Sequence, residues 1–361
     1  MAEAVNKLKI EVICQPFPLL FGWHAPVFDF ISFFKLVKHG IKLVERYNIK
    51  LIHSNSGAPC QWLNIVARHR KLPLVAHLHC RYPLRDRITF GLHHVSQLFT
   101  VSNCVAQQFI NDCSDRQKIS VVLNGIDKAR FSQDKTLDLR QELGLASTDF
   151  LLFTAGSLIH RKGMDLLISA VAIARKNGIP AKLVIAGDGP CKAQLIEQIN
   201  QAGLCHQVFL LGERNDIAQL LQGGIDVFLS GAREEVFGLV LAEAGLNKLP
   251  VIAPAVGGIP EVIQNKRTGL LVPPQDPLQI AQAIEWLYRD PELSHQLGLA
   301  AKERVEQRFL IEQNVAVIEQ HYLSLLQDQH NALTWSSHWD PKALIKSCGV
   351  FLFNIIIGQR G

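Results

Sequence analysis

The sequence predicts an α/β protein with two doubly wound parallel-sheet domains, and three observations predict it. The chain has 361 residues, too many for one compact core and suited to two domains of roughly 150–200 residues each. Short β-branched runs alternate with amphipathic stretches, the signature of strand–helix–strand units with helices on both faces of a sheet. That alternation stops at a polar stretch near residue 130 and then starts again.

In the first half, Ile49–His53 reads as a buried strand and Ala58–Arg70 has helical spacing. Leu72–His79 is the next strand, and Leu98–Val101 another, entering a helix near Asn103. Lys128–Thr148 is charged and without long apolar runs; it reads as a linker with one short helix over Leu137–Leu143. Phe150–Ala155 opens the second sheet, continued by Lys182–Ala186, Gln207–Leu211, Asp226–Ser230 and Pro250–Ala253. Helices fit Met164–Lys176, Cys191–Ala202, Leu239–Leu246 and Pro277–Tyr288, with a late helix over Gln307–Gln327. The expected divisions are residues 1–130 for the first domain, 131–148 for the linker, 149–328 for the second domain and 329–361 for a C-terminal tail of unknown role.

Composition narrows the class. Hydrophobic residues make up 48% and charged residues 19%, so the chain can bury a core. Eight scattered cysteines form no C-x-x-C pair and no zinc spacing with histidine, as expected of reduced thiols in a cytoplasmic protein without a metal site. Met1–Lys9 lacks a basic-then-apolar signal pattern. The longest apolar run, Gly349–Ile357, falls short of the roughly 18 residues that a membrane span needs. Charge is uneven: the first 140 residues hold 19 Lys/Arg against 10 Asp/Glu, although the whole chain is only +5. A basic half of this kind suits an anionic membrane surface, and a solvated basic face gives the same count.

The segment richest in chemistry is Glu235-Val236-Phe237-Gly238-Leu239-Val240-Leu241-Ala242-Glu243. Two carboxylates bracket seven mostly apolar residues directly after a strand. Gly238 lets backbone approach a ligand, and the helix starting there offers unpaired N–H groups and a positive dipole end to a diphosphate. Glu235 falls in the loop and Glu243 inside the helix, each able to accept from paired sugar hydroxyls. An acid stabilising its own helix, followed by an exposed Glu, is the structural alternative. Ser157-Leu158-Ile159-His160-Arg161-Lys162-Gly163 joins a strand end to a helix through a basic loop, with Arg161 and Lys162 as point charges near a second helix start. Gly187-Asp188-Gly189-Pro190 is a strand–turn–helix junction whose glycines suit the turn better than a ligand. Val256-Gly257-Gly258-Ile259-Pro260-Glu261 is another glycine-rich helix entry that could present backbone donors.

Taken in order, these pieces resemble the GT-B glycosyltransferases, specifically the retaining family 4. The resemblance includes Asn124-Gly125-Ile126-Asp127 before the linker, Thr268-Gly269-Leu270-Leu271-Val272-Pro273, and Arg308-Phe309, and it covers roughly residues 70–325. Single motifs are weak; the ordered set is specific. The resemblance implies two Rossmann-like domains facing across a cleft. It implies transfer of a sugar from a nucleoside-diphosphate sugar to a hydroxyl, with retention of configuration, in glycan, polysaccharide or glycolipid synthesis. Lys162 would neutralise the leaving diphosphate, and backbone N–H groups at Phe237, Gly238 and Leu239 would hold its distal phosphate. Glu235 would bind donor-sugar hydroxyls and Glu243 the ribose. Leu211–Asp216, with Gly212 and Glu213, would flank the base. His79, ending the strand Pro73–His79, matches the active-site histidine facing the donor sugar.

Several positions depart from the family pattern. Ser157 stands where the family often has Arg, with Arg161 as a substitute charge, and Lys248 takes a usual glycine position. Lys9–Cys14 corresponds to the second strand of the family's first domain, so the first strand and Gly-rich loop are expected to be missing. Two rival readings follow: a nucleotide-sugar-binding remnant without transfer, and a sugar-nucleotide epimerase of the same fold. The expected partners are a nucleoside-diphosphate sugar, a sugar, glycan or lipid-linked acceptor and an anionic membrane surface, but no nucleic acid. No cofactor or metal is expected, and the expected location is cytoplasmic, peripheral to the membrane.

Overall fold

A computed structural model of the protein describes residues 10–22, 27–112, 115–131 and 137–327; the tail expected at 329–361 lies outside them. The chain forms two compact units. Among the described residues, one comprises those within 10–100, 105–120 and 321–327, the other those within 101–104 and 121–320.

The first unit holds a four-stranded sheet in the order β1 (Ile52–Ser54), β2 (Leu74–Leu78), β3 (Gln97–Thr100), β4 (Ile119–Val121). β1–β2 and β2–β3 pair in parallel. β2 is buried at every position, as a strand covered on both faces must be, which explains its near-continuous apolar sequence. The helix Cys60–Arg70 follows β1 as expected.

Two expectations fail at the start of this unit. Residues 10–14 belong to no strand. Their β-branched content favours extended backbone, but a strand exists only where a ladder partner is in register. A 17-residue helix, Phe30–Arg46, was not anticipated. It buries Phe33, Leu36, Val37, Gly40 and Val44 at helical spacing, and Asp29 caps it by accepting from Ser32 N at 3.0 Å. Its helical period is strong in the sequence, and Phe30, Ile31 and Phe34 are exposed apolar residues at its start.

The second unit is a six-stranded parallel sheet ordered β10 (Leu270–Val272), β9 (Val251–Pro254), β8 (Val227–Leu229), β5 (Phe150–Ala155), β6 (Ala181–Ala186), β7 (Val208–Gly212). Chain order reverses between β5 and β8, and such a switch point opens a crevice at the carboxyl ends of the strands. The five strands expected here are present, with ends shifted by a residue or two. Helices Met164–Lys176 and Pro277–Arg289 pack against the sheet with buried apolar stripes.

At the C-terminal side, the helix expected over Gln307–Gln327 is present as Ile311–Gln327, and a helix not anticipated, Pro291–Arg308, begun by Asp290 accepting from Leu293 N, precedes it. The break receives the Asn124–Asp127 segment. Ile126 N donates to Phe309 O at 2.8 Å, and Ile311 N to Ile126 O at 3.0 Å. Gly125 lies so close to this turn that an added Cβ would meet Ile311 Cα at 2.5 Å.

Candidate active site

The switch point of the second unit brings together Lys162 and Glu235, two of the charged residues that the sequence singles out. β5 ends at Ala155, and the loop after it runs through Ser157 to Lys162 and Gly163. β8 ends at Leu229, and the loop after it carries Glu235 to Gly238, where the helix Leu239–Leu246 begins. The two loops meet: Lys162 Nζ donates to Glu235 Oε2 at 2.6 Å, with side-chain exposures of 23% and 13%. Both line one small concavity with Thr154, Ala155, Ser230 and Gly238.

Close backbone contact makes this meeting possible. Gly163 has φ +63°, and a Cβ there would fall 1.9 Å from Gly231 O; one on Gly231 would fall 2.2 Å from Gly163 O. Only glycines pass each other at that distance. Arg233 then clasps the loops. Its guanidinium donates to both oxygens of Asp165 at 2.9 and 2.6 Å and to His160 O at 2.8 Å. The Arg233 hydrogen bonds hold the Asp165 carboxyl below its ordinary range. Sequence reasoning missed both residues. Asp165 carried a signal, as the acid in the first turn of its helix, but Arg233 had none until the loops were seen side by side.

Gly257 and Gly258 play a different part from the one considered. A Cβ on Gly257 would sit 1.8 Å from Glu235 O and one on Gly258 2.1 Å from Val236 O. Gly258 N–H is spent on Glu235 O at 3.0 Å. The pair therefore supports the Glu235 loop from behind, and Gly258 offers no free donor. Gly187 and Gly189 act likewise against Gly156 O and Leu158 O, as the turn reading expected.

The helix at Gly238 begins without a side-chain cap. Among the described residues nothing accepts from the N–H groups of Phe237, Gly238 or Leu239, although Phe237's side chain is buried. Open N–H groups and the helix dipole make this an anion-attracting tip beside the Lys162 ammonium. Glu243 lies farther along the helix and is absent from the concavity's lining. It faces Arg130 at 3.7 Å, and burial holds its carboxyl above the ordinary range despite that charge. Ser157 and Arg161 are exposed on the basic loop, and Arg161 donates to Glu234 O at 3.2 Å. Gly212, with φ +72°, ends β7 and accepts from Gly187 N at 2.7 Å; Glu213 beyond it is exposed. These residues share the sheet's carboxyl edge with Lys162, two strands over.

His79 belongs to the first unit, just past β2. Its Nε2 pairs with Asn55 Oδ1 at 2.8 Å, and its ring lies 4.4 Å from that of His77. Burial, with His79 and His53 nearby, pushes His77 down to about 3, so that ring is neutral at physiological pH.

Comparison with known proteins bears on the family and the fold. The family described as Glycosyl transferases group 1 matches residues 135–304, and Glycosyltransferase Family 4 matches residues 7–130. N-acetyl-alpha-D-glucosaminyl L-malate synthase of Bacillus anthracis is 27% identical over 80% of this chain and 78% of its own. The D-rhamnosyltransferase WbpZ of Pseudomonas aeruginosa is 32% identical over 54% of this chain, which spans about half (50%) of that relative. Anabaena HepE, solved in complex with UDP-glucose, has a TM-score of 0.75 at 25% identity, covering 90% of this chain and 89% of its own. With both family matches falling in order along two parallel α/β sheets, the chain belongs to the group 1 glycosyltransferases of GT-B fold and is a glycosyltransferase.

Proposed function

We propose that the chain transfers a hexose from a nucleoside diphosphate to a hydroxyl of a sugar, glycan or lipid-linked acceptor, with retention at the anomeric carbon. The observation that carries this reading is the Lys162–Glu235 contact at the switch point, beside an uncapped helix start. A departing diphosphate needs positive charge that is already in place as the glycosidic bond breaks. Lys162 supplies a point charge, and the N–H groups of Phe237, Gly238 and Leu239 supply oriented dipoles. Glu235 is placed to bind hydroxyls of the donor sugar and to orient Lys162. Glu243 takes the ribose, where a buried carboxylate accepts from two adjacent hydroxyls. Gly212 and Glu213 border the base, and His79 contacts the donor sugar as the resemblance implies.

The UDP-glucose bound by HepE makes a uridine diphosphate hexose the first donor to test. The assay follows nucleoside diphosphate release from a panel of donors, with and without simple sugar acceptors. Proton NMR of the product reads the anomeric configuration. Release of UDP with an α-linked product from an α-linked donor supports the proposal. Donor binding without transfer would favour a nucleotide-sugar-binding remnant, isomerised donor an epimerase, and inverted product would refute retention.

A further inference from the structure

The helix Phe30–Arg46 carries a surface that sugar transfer does not use. Its inner stripe is buried against the first unit. At 100° per residue, the outward face carries Ile31 and Phe34 in its first turns, with Phe30 on the flank, then Lys35, Lys38 and Lys42 in the following ones. All six are exposed, Ile31 by 73% and both phenylalanines by 52%. Residues before the helix add to the same end. Leu20 O accepts from Val27 N at 3.0 Å, which brings Phe21 and Phe28 within 6.0 Å. Phe28 stacks on Phe30 at 6.1 Å.

This tip is a built feature. Leu20 N donates to Gln61 Oε1 at 2.6 Å, and Arg85 donates to Gly22 O at 2.9 Å, so residues 20–22 are tied to the body of the unit. A contiguous exposed cluster of this kind marks an interaction surface. Charge selects the partner. Glu45, an acid on the outward face, is held by Arg70 at 2.8 Å, and Asp29 is committed to the Ser32 N–H. The lysines remain, on a half of the chain with 19 basic against 10 acidic residues in its first 140. Aromatic rings at one end, with lysines that start at the next residue and reach about 12 Å beyond Phe34 along the axis, match the acyl boundary and phosphate level of a lipid leaflet. An acidic protein partner would match the lysines, but it would leave the aromatic tip without a counterpart.

We propose that this tip docks on an anionic lipid surface. Phe28, Phe30, Ile31 and Phe34 enter the acyl boundary while Lys35, Lys38 and Lys42 face lipid phosphates. No helix among the described residues is long and apolar enough to cross a membrane, so the contact is peripheral. The inference stands apart from the transfer reading, since the assay needs no nucleotide.

The test is flotation of the full chain with phosphatidylcholine vesicles, with and without phosphatidylglycerol. The wild type should float with the anionic vesicles and hardly with the neutral ones, and should release as salt rises. Replacing Phe30, Ile31 and Phe34 together by Ser should abolish flotation. Replacing Lys35, Lys38 and Lys42 by Gln should weaken partitioning up to about a hundredfold, at about fivefold per lysine. Unchanged thermal unfolding and UDP binding show that each variant is folded; if a variant misfolds, the lipid and salt dependence of the wild type decides alone. Equal flotation on both vesicle types, or equal flotation of either variant, overturns the proposal. So does a dimer that the serine variant dissociates, in a protein that does not bind vesicles; a second copy is then the occupant.

Discussion

Lys162→Ala separates catalysis from folding at the proposed site. The ammonium makes a 2.6 Å charge-assisted hydrogen bond to Glu235, of a kind that contributes about 1.5–3 kcal/mol. Because 23% of the lysine side chain and 13% of the glutamate's stay exposed, solvent screening sets the loss near the low end, about 1.5–2 kcal/mol. For a domain of this size that lowers Tm by roughly 3–8 °C. Turnover should fall far more. Removing one preorganised group aimed at charge that develops in the transition state costs about 10²–10³ in kcat. Ground-state affinity for UDP should weaken less, because the Phe237–Leu239 amides still bind phosphate. Calorimetric unfolding, UDP titration and steady-state UDP release measure the three quantities on one preparation. If kcat and UDP affinity were unchanged, the lysine would be a structural ion-pair partner and the proposed mechanism would fail. If kcat and KM changed by equal factors for every variant of this loop, loop disorder would explain the result instead.

Other perturbations test the surrounding construction. Gly163→Ala forces a Cβ to 1.9 Å from Gly231 O at φ +63°, so stability should drop by about 2–4 kcal/mol, seen as a large fall in Tm with donor binding lost. Glu243 has a raised carboxyl pKa in the folded state, so its ionisation destabilises the fold as pH rises through the ordinary carboxylate range and beyond. Glu243→Gln should therefore hold or raise Tm at neutral pH while weakening UDP affinity, since the amide is a poorer partner for ribose hydroxyls. His77 stays neutral down to about 3 in the folded protein but takes a proton near 6.5 when unfolded. Stability should thus fall as pH drops below about 6.5, by up to about 2 kcal/mol at pH 5; His77→Phe should flatten that part of the Tm–pH curve. EDTA should leave UDP release unchanged if Lys162 and the helix tip alone carry the leaving-group charge.

Much of the second unit was legible because its signals are local. A parallel strand covered on both faces is a short apolar run, and Phe150–Ala155 is buried at its four central positions. The Leu239–Leu246 helix keeps its expected bounds because Gly238, with φ +93°, breaks the backbone directly before it. Lys162 and Glu235 could be named because each sits on a loop following a strand, and parallel order brings such loops to one edge. What stayed hidden depends on pairs distant in sequence. Arg233 gains meaning only from Asp165, 68 positions away. Gly257 and Gly258 looked like donors because a glycine pair at a helix start suits both a ligand and a neighbouring backbone. The 1.8 Å and 2.1 Å approaches to the Glu235–Val236 backbone decide for the backbone.

The helix Phe30–Arg46 was legible in the sequence, though not anticipated. Helical period is read from apolar positions on the assumption that they face inward. Phe33, Leu36, Val37, Gly40 and Val44 obey it and give a strong inner stripe, while Ile31 and Phe34 lie on the outer face and Phe30 on its flank. The exposed three are apolar residues that the inner stripe does not use. Burying them inward would need a second core that this side of the unit does not supply. Their cost in exposed apolar surface therefore points to a task outside the fold, and the lysine row behind them narrows which surface that is.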